Sequence, residues 1–257
     1  MTAAPAVGLY SIGVRGLSFP ELLAWAAHHG VPHLHVRGGH RGYRLAEQDP
    51  AVLRAWAELA ATTVPVTAVT SDVELRDLLA DDPDAHRQLG ALAEAAAVLG
   101  ATTLRVFGRT STESLQSGSA ALSGLRTVLS DCGTALAVEL HAADWFDPGR
   151  RPAITDLLAE AEFLHLLTDT YQVQRYVPDV DTEFAAWLVA RSRVVHFCDP
   201  GSGLTGIGHQ RVATAMTLAA GAGHQPELAF EWTGPDRSAA GCLARYRAAV
   251  DWWEAQW

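Results

Sequence analysis

Lysine does not occur in this 257-residue sequence, and all 19 basic residues are arginine. Chemistry that needs a lysine amine is therefore excluded: Schiff-base formation, anchoring of pyridoxal phosphate, and phosphate binding by a P-loop. Cysteine is scarce, and Cys132, Cys198 and Cys242 lie far apart with no C-x-x-C spacing. Nothing in this spacing indicates a thiolate zinc or redox centre, so we expect reduced, mostly buried thiols.

Long hydrophobic runs are also missing, since no apolar stretch reaches about eighteen residues, and the first residues lack the basic start of a secretory signal. We therefore expect a cytoplasmic protein with no membrane partner. Acidic residues outnumber basic ones, which gives a formal net charge of -10. This negative charge argues against a nucleic-acid partner and favours a small-molecule substrate. The composition is also compatible with a homo-oligomer.

What the sequence does contain is a repeated unit, an apolar run followed by a segment with helical periodicity. Eight such units predict a parallel, eight-stranded (β/α)8 TIM barrel as a single domain over residues 1–257. A doubly wound sheet is the rival, but SIGVRG after the first apolar run does not fit its dinucleotide fingerprint. The predicted strands are Val7–Ile12, His33–Arg37, Val64–Thr70, Thr102–Phe107, Ala135–Leu140, Phe163–Thr168, Arg193–Phe197 and Leu228–Trp232.

The last four predicted strands each end in a residue that can bind a metal: Glu139, Asp169, His196 and Glu231. Active sites of such barrels lie at the carboxyl ends of the strands, and alternation along a strand points Glu139 and Glu231 inward. Carboxylates that converge without a cation would repel one another strongly. The pattern therefore predicts one divalent metal (Mn²⁺, Mg²⁺, Co²⁺ or Zn²⁺) bound by these four residues.

These motifs resemble the xylose isomerase-like TIM barrel superfamily of sugar phosphate isomerases and epimerases, inosose dehydratases and endonuclease-type members. The resemblance covers essentially the whole chain, and its most specific parts are Glu139-Leu140-His141, Asp169, His196 with Asp199, and Glu231. It implies that Glu139 and Glu231 act as acid and base in a metal-dependent isomerase or epimerase. Such an enzyme removes the proton α to the carbonyl of a sugar or related polyhydroxy compound.

The sequence departs from the family pattern at Gln172, Trp145 and Ser202, where a histidine, a glutamate and an arginine are common. An inosose-type dehydratase or a non-catalytic metal-binding barrel is therefore an alternative function. A metal-dependent DNA phosphodiesterase is disfavoured, because it needs further histidines and a basic face. The residues that we expect to contact substrate are His141, Gln172, Arg37 and Arg105.

Overall fold

The chain folds into a closed barrel of eight parallel strands in sequential order, with helices packed around it. The computed structural model describes residues 4–109 and 115–257. The first strand pairs with the last as well as with the second, which closes the sheet. The strands are β1 (Val7–Tyr10), β2 (Leu34–Arg37), β3 (Val66–Glu74), β4 (Thr103–Gly108), β5 (Ala135–Leu140), β6 (Leu164–Asp169), β7 (Ser192–Asp199) and β8 (Glu227–Trp232).

Helices follow every strand, and several begin at a side chain that accepts a backbone N–H of the first turn. Asp49, Asp82 and Asp181 are examples of such N-caps, and a proline follows two of them directly. The helices are α1 (Phe19–His28), α2 (Pro50–Thr62), α3 (Leu75–Leu79), α4 (Pro83–Val98), α5 (Leu115–Asp131), α6 (Arg151–Glu160), α7 (Thr170–Tyr176), α8 (Thr182–Val189), α9 (Ile207–Gly221) and α10 (Ala239–Glu254).

The predicted (β/α)8 barrel and its eight strands are confirmed, with differences at the strand ends. β1 stops at Tyr10 because Ser11–Gly13 turn into a 3-10 helix. β3 continues to Glu74, which pairs with Phe107 beyond an irregularity in register. Among the helices, α3 and α7 are short, and α5 contains glycines and serines that weaken its helical propensity.

Strand residues divide between two hydrophobic layers, as alternation predicts. In β5, Leu136, Val138 and Leu140 belong to the large core between the strands and the helices, whereas Ala137 packs inside the barrel in a separate small cluster. The interior is crowded at its amino-terminal end, where a Cβ atom on Gly8 would lie 2.2 Å from the His33 ring. Only glycine fits there, because the imidazole of His33 occupies that space.

The last helix ties the two ends of the chain together. Tyr246 of α10 donates a hydrogen bond to the carbonyl of Val7 at 2.7 Å, and the Trp253 indole donates to Pro5 at 2.8 Å. Trp145, Trp232 and Trp253 are buried packing residues. Within the described ranges, no helix combines the length and apolarity that crossing a membrane requires.

Candidate active site

Five ionisable side chains meet inside the barrel near the carboxyl ends of its strands, an end that we call the mouth. Arg105 of β4, Glu139 of β5, Asp169 of β6, His196 of β7 and Glu231 of β8 are each at most 6% exposed. Ionised groups are rarely this buried unless they are paired or bind a ligand. The partners of each group therefore indicate what the site can do.

Glu139 is compensated by two cationic or hydrogen-bonding neighbours. Arg105 Nε lies 2.9 Å from Glu139 Oε2, and His141 Nε2 lies 2.8 Å from Glu139 Oε1. The guanidinium is held in place by the Tyr10 hydroxyl and the Ser71 carbonyl, both at 3.0 Å. Burial opposes ionisation of Glu139, but Arg105 and His141 together lower its pKa to about 2. Glu139 is therefore a carboxylate at neutral pH.

Glu231 and Asp169 are in the opposite situation. Burial, and after it the negative charge of Glu139, raise the pKa of Glu231 to about 8. Burial and then Glu231 also raise the pKa of Asp169 well above its usual value. Asp169 accepts only the backbone N–H of Gln172, at 2.9 Å, among the described residues. These two carboxyl groups therefore lack the positive charge that would keep both of them ionised.

A divalent cation fits the place where these carboxyl groups converge. Ligand atoms of Asp169, Cys198 and Glu231 all lie within 4.8 Å of one another. His196 Nδ1 lies 3.0 Å from Glu231 Oε2, beside the same group. Two carboxylates, a thiol and a neighbouring imidazole are donors that Zn²⁺, Co²⁺ or Mn²⁺ accepts.

Of the four predicted metal ligands, the structure brings Asp169 and Glu231 into this group and places His196 against Glu231. Glu139 lies with Arg105 and His141 instead. Sequence reasoning missed Cys198 as a candidate donor, although it lies two residues after His196 and therefore on the same face of β7.

A hydrogen-bonded row of side chains connects His196 to the other end of the barrel. His196 Nε2 lies 2.9 Å from His35 Nδ1, and His35 Nε2 lies 2.5 Å from Glu227 Oε1. Burial lowers the pKa of His196 to about 4 and also lowers that of His35, so both rings are neutral. Because Glu227 is an acceptor, His35 Nε2–H donates to it, and His35 Nδ1 accepts a hydrogen bond from His196 Nε2–H. His196 Nδ1 is then left with a lone pair that faces the mouth.

The remaining residues that we expect to contact substrate differ in whether their side chains already have protein partners. The Arg105 guanidinium is already bound by protein groups, whereas Arg37, at the end of β2, forms no side-chain hydrogen bond or ion pair with the described residues. Gln172 is buried beside Asp169, and its Oε1 atom has no hydrogen-bond partner in the described part of the chain. Ser202 is exposed in the loop after β7. Gln172 and Arg37 are thus free to contact substrate.

No protein-family profile and no curated protein sequence matches this chain. Solved structures match over nearly its full length. The 3-keto-D-glucoside 4-epimerase of E. coli shares 16% identity at a TM-score of 0.71, over 98% of this chain and 99% of that one. A xylose isomerase domain-containing protein from Salmonella typhimurium shares 15% identity at a TM-score of 0.67, over 98% of this chain and 99% of that one.

A structure of the IolI protein with a bound zinc atom shares 13% identity at a TM-score of 0.72, over 98% of this chain and 99% of that one. The chain has the same barrel fold as these proteins. The fold implied by the sequence resemblance is thereby confirmed. Identities this low establish the fold and leave the chemistry to be argued from the site.

Proposed function

We propose that this protein is a divalent-metal-dependent isomerase or epimerase that moves a proton at the carbon α to the carbonyl of a sugar or related polyhydroxy compound. The observation that carries the proposal is the contrast between two buried glutamates at one barrel mouth. The pKa of Glu139 is held at about 2 and that of Glu231 is raised to about 8. Carboxyl groups whose surroundings separate their pKa values in this way are typical acid and base pairs.

The roles of the two glutamates follow from these protonation states. Glu139 is ionised, so it accepts the α proton, while Arg105 and His141 keep it oriented and charged. Glu231 carries a proton that it delivers to the substrate, and it lies against the unprotonated Nδ1 of His196. The position at which the proton returns decides whether the product is an epimer or an isomer.

Asp169, Cys198 and His196 are the residues that would hold the metal, and Glu231 would join them in its ionised form, because a carboxyl group must lose its proton to bind a metal. When bound, the metal polarises the substrate carbonyl as a Lewis acid. Arg105 is committed to Glu139, Tyr10 and Ser71, so we assign it to positioning Glu139 and not to direct substrate contact. The unpartnered Gln172 Oε1 accepts a substrate hydroxyl, which compensates for its burial.

The fold-related epimerase of 3-keto-D-glucosides and the zinc-bound IolI structure are consistent with a sugar substrate and a metal. The direct test is incubation with ketoses, their phosphates and inososes in D₂O, with and without Mn²⁺. We expect metal-dependent deuterium incorporation α to the carbonyl of at least one compound, followed by nuclear magnetic resonance. Metal-loaded protein that exchanges no α proton in any of them would contradict the proposal, and loss of water from an inosose would indicate a dehydratase.

A further inference from the structure

Three arginines lie side by side at the mouth, on strands next to the candidate active site. Arg15 follows β1, Arg37 ends β2, and Arg237 follows β8; these strands are neighbours in the order β8, β1, β2. Their backbones are tied together, because Arg15 N donates to Arg237 O at 2.8 Å and Arg37 N donates to the Ser11 hydroxyl at 2.8 Å. We call Arg15, Arg37 and Arg237 the arginine cluster.

None of these guanidinium groups has a carboxylate partner in the described part of the chain. The side chains of Arg15 and Arg37 make no hydrogen bond or ion pair there. Arg237 donates only to neutral carbonyls, those of Thr233 at 2.8 Å and Gly234 at 3.3 Å. By contrast, the adjacent Arg41 is paired with Asp72 at 3.1 Å.

The lack of a partner matters because the protein carries a net charge of -10, so carboxylates are abundant elsewhere. Burial and the charge of Arg15 lower the pKa of Arg237, Glu231 partly opposes this, and the charge of Arg37 lowers the pKa further, as expected for like charges that lie close together. Among the acids near the cluster, Asp72 binds Arg41, Asp236 accepts the Ser238 N–H at 3.0 Å, and Glu231 interacts with Arg237 without forming an ion pair. An external anion would relieve this repulsion.

A cavity of about 370 Å³ opens between the loops that follow β1 and β2. Its lining includes Arg15, Arg37, Arg41 and Tyr43. A volume of this order accommodates part of a small ligand. Arginine is well suited to the purpose, because its planar guanidinium binds phosphate or carboxylate through two parallel hydrogen bonds.

We infer that the arginine cluster is an anion subsite of the same active site, and that the substrate carries a phosphate or carboxylate group at the end away from its reacting carbonyl. This inference rests on the proposed function. β2 and β8 flank β1, so the backbones of Arg37 and Glu231 are separated by about two interstrand spacings, about 10 Å. Because both side chains extend from these strands, the gap between their charged groups is shorter, and a sugar that carries a terminal anionic group could place its carbonyl at the glutamates and its anionic end at the cluster.

The binding test uses inorganic phosphate and isothermal titration calorimetry on the full chain at low salt. We expect phosphate to bind the wild-type protein, and the double variant Arg15→Gln/Arg37→Gln to bind it about tenfold more weakly or worse. Arg54→Gln, an exposed arginine on α2, is the matched control and should bind as the wild type does. Thermal unfolding of each variant verifies that it is folded. No phosphate binding, or equal binding by the double variant, would overturn the inference.

The substrate test compares α-proton exchange in D₂O for a ketose, its terminal phosphate ester and a keto sugar acid of the same chain length. Preference for the phosphate ester or for the sugar acid identifies the anion, and the preference should vanish in the double variant. Exchange with the neutral ketose alone would overturn the subsite and leave the proposed function standing. Phosphate binding at the cluster without exchange in any compound would instead contradict the proposed function.

Discussion

At the amino-terminal end of the barrel, Glu227 accepts hydrogen bonds from His35 at 2.5 Å and from the Thr67 hydroxyl at 2.7 Å. At the mouth, Asp169 and Glu231 are more deeply buried and have fewer compensating partners. Both ends therefore combine carboxylates with imidazoles. Hydrogen bonds offset the cost of burying the carboxylate at the amino-terminal end only. Hydrogen bonds to His35 and Thr67 overcome burial and lower the pKa of Glu227 to about 2, whereas burial raises that of Glu231 to about 8.

This difference separates a structural arrangement from a functional one. A carboxylate whose lone pairs are satisfied by the protein stabilises the fold, while buried carboxyl groups that the protein leaves uncompensated cost stability and are typical of binding or catalytic sites. His35 belongs to both regions, because one of its ring nitrogens contacts Glu227 and the other contacts His196. Substitutions at each end should therefore have effects of different kinds.

The largest effect is expected for Glu231→Gln, which keeps the shape of the side chain and removes its proton chemistry. Turnover should fall by about 10²–10⁴-fold, the usual cost of losing a general acid or base. The measurement is the rate of α-proton exchange on whichever sugar the D₂O screen identifies. Glu254→Gln, an exposed glutamate at the end of α10, is the control and should exchange at the wild-type rate. Full activity in Glu231→Gln would refute its role.

The next largest effect is expected for substitutions of the residues proposed to bind the metal. Addition of Co²⁺ at a hundred times its Kd should stabilise the wild-type protein by about 2.7 kcal/mol in thermal unfolding, because the ion binds the folded state. Cys198→Ser and Asp169→Asn should lose most of that stabilisation. The cobalt complex of the wild type should show thiolate-to-metal charge-transfer absorption, which Cys198→Ser lacks. Charge-transfer absorption that persists in Cys198→Ser would exclude Cys198 as a ligand.

The fold could be predicted from the sequence because each strand of a parallel barrel is an apolar run and alternation assigns its faces. Glu139 and Glu231 point into the barrel as that alternation requires. The pairing of Arg105 with Glu139 could not be predicted in this way. In register, Arg105 lies opposite Ala137, and Glu139 lies opposite Phe107, so the contact depends on the reach of a long side chain along the barrel axis.

Contacts across the barrel interior could not be predicted from the sequence for a related reason. His35 of β2 and His196 of β7 belong to strands that are not neighbours, and they meet only because the closed sheet has a particular stagger. A pattern of apolar and polar residues determines which face a side chain occupies and does not determine that stagger. The individual site residues therefore stand at predictable strand ends, whereas their contacts across the barrel depend on a stagger that the sequence pattern does not determine.

A smaller effect is expected for substitution of His35, whose hydrogen bonds connect the two ends of the barrel. His35→Ala removes the acceptor that fixes the His196 proton on Nε2, so metal affinity should fall by about 10–100-fold, as is typical for an outer partner of a ligand. Nitrogen chemical shifts of His196 should change from one tautomer to a mixture, a response that loss of packing alone does not produce. His28→Gln, on the exposed face of α1, should leave both measurements unchanged. An unaltered His196 tautomer would show that His35 does not position it.

The smallest effect concerns acid stability at the amino-terminal end. The pKa of Glu227 is about 2 in the folded protein, below the value of about 4.3 for an unfolded glutamate. Its contribution is therefore fully present above about pH 4.3 and is lost as the pH falls through about 2. Because the side chain is 32% exposed, we expect a contribution of about 1–2 kcal/mol after solvent screening. In urea unfolding, the free energy of unfolding of Glu227→Gln should fall less across that pH window than that of the wild type. Equal falls in the two proteins would contradict the assignment of Glu227 as a stabilising group at the amino-terminal end.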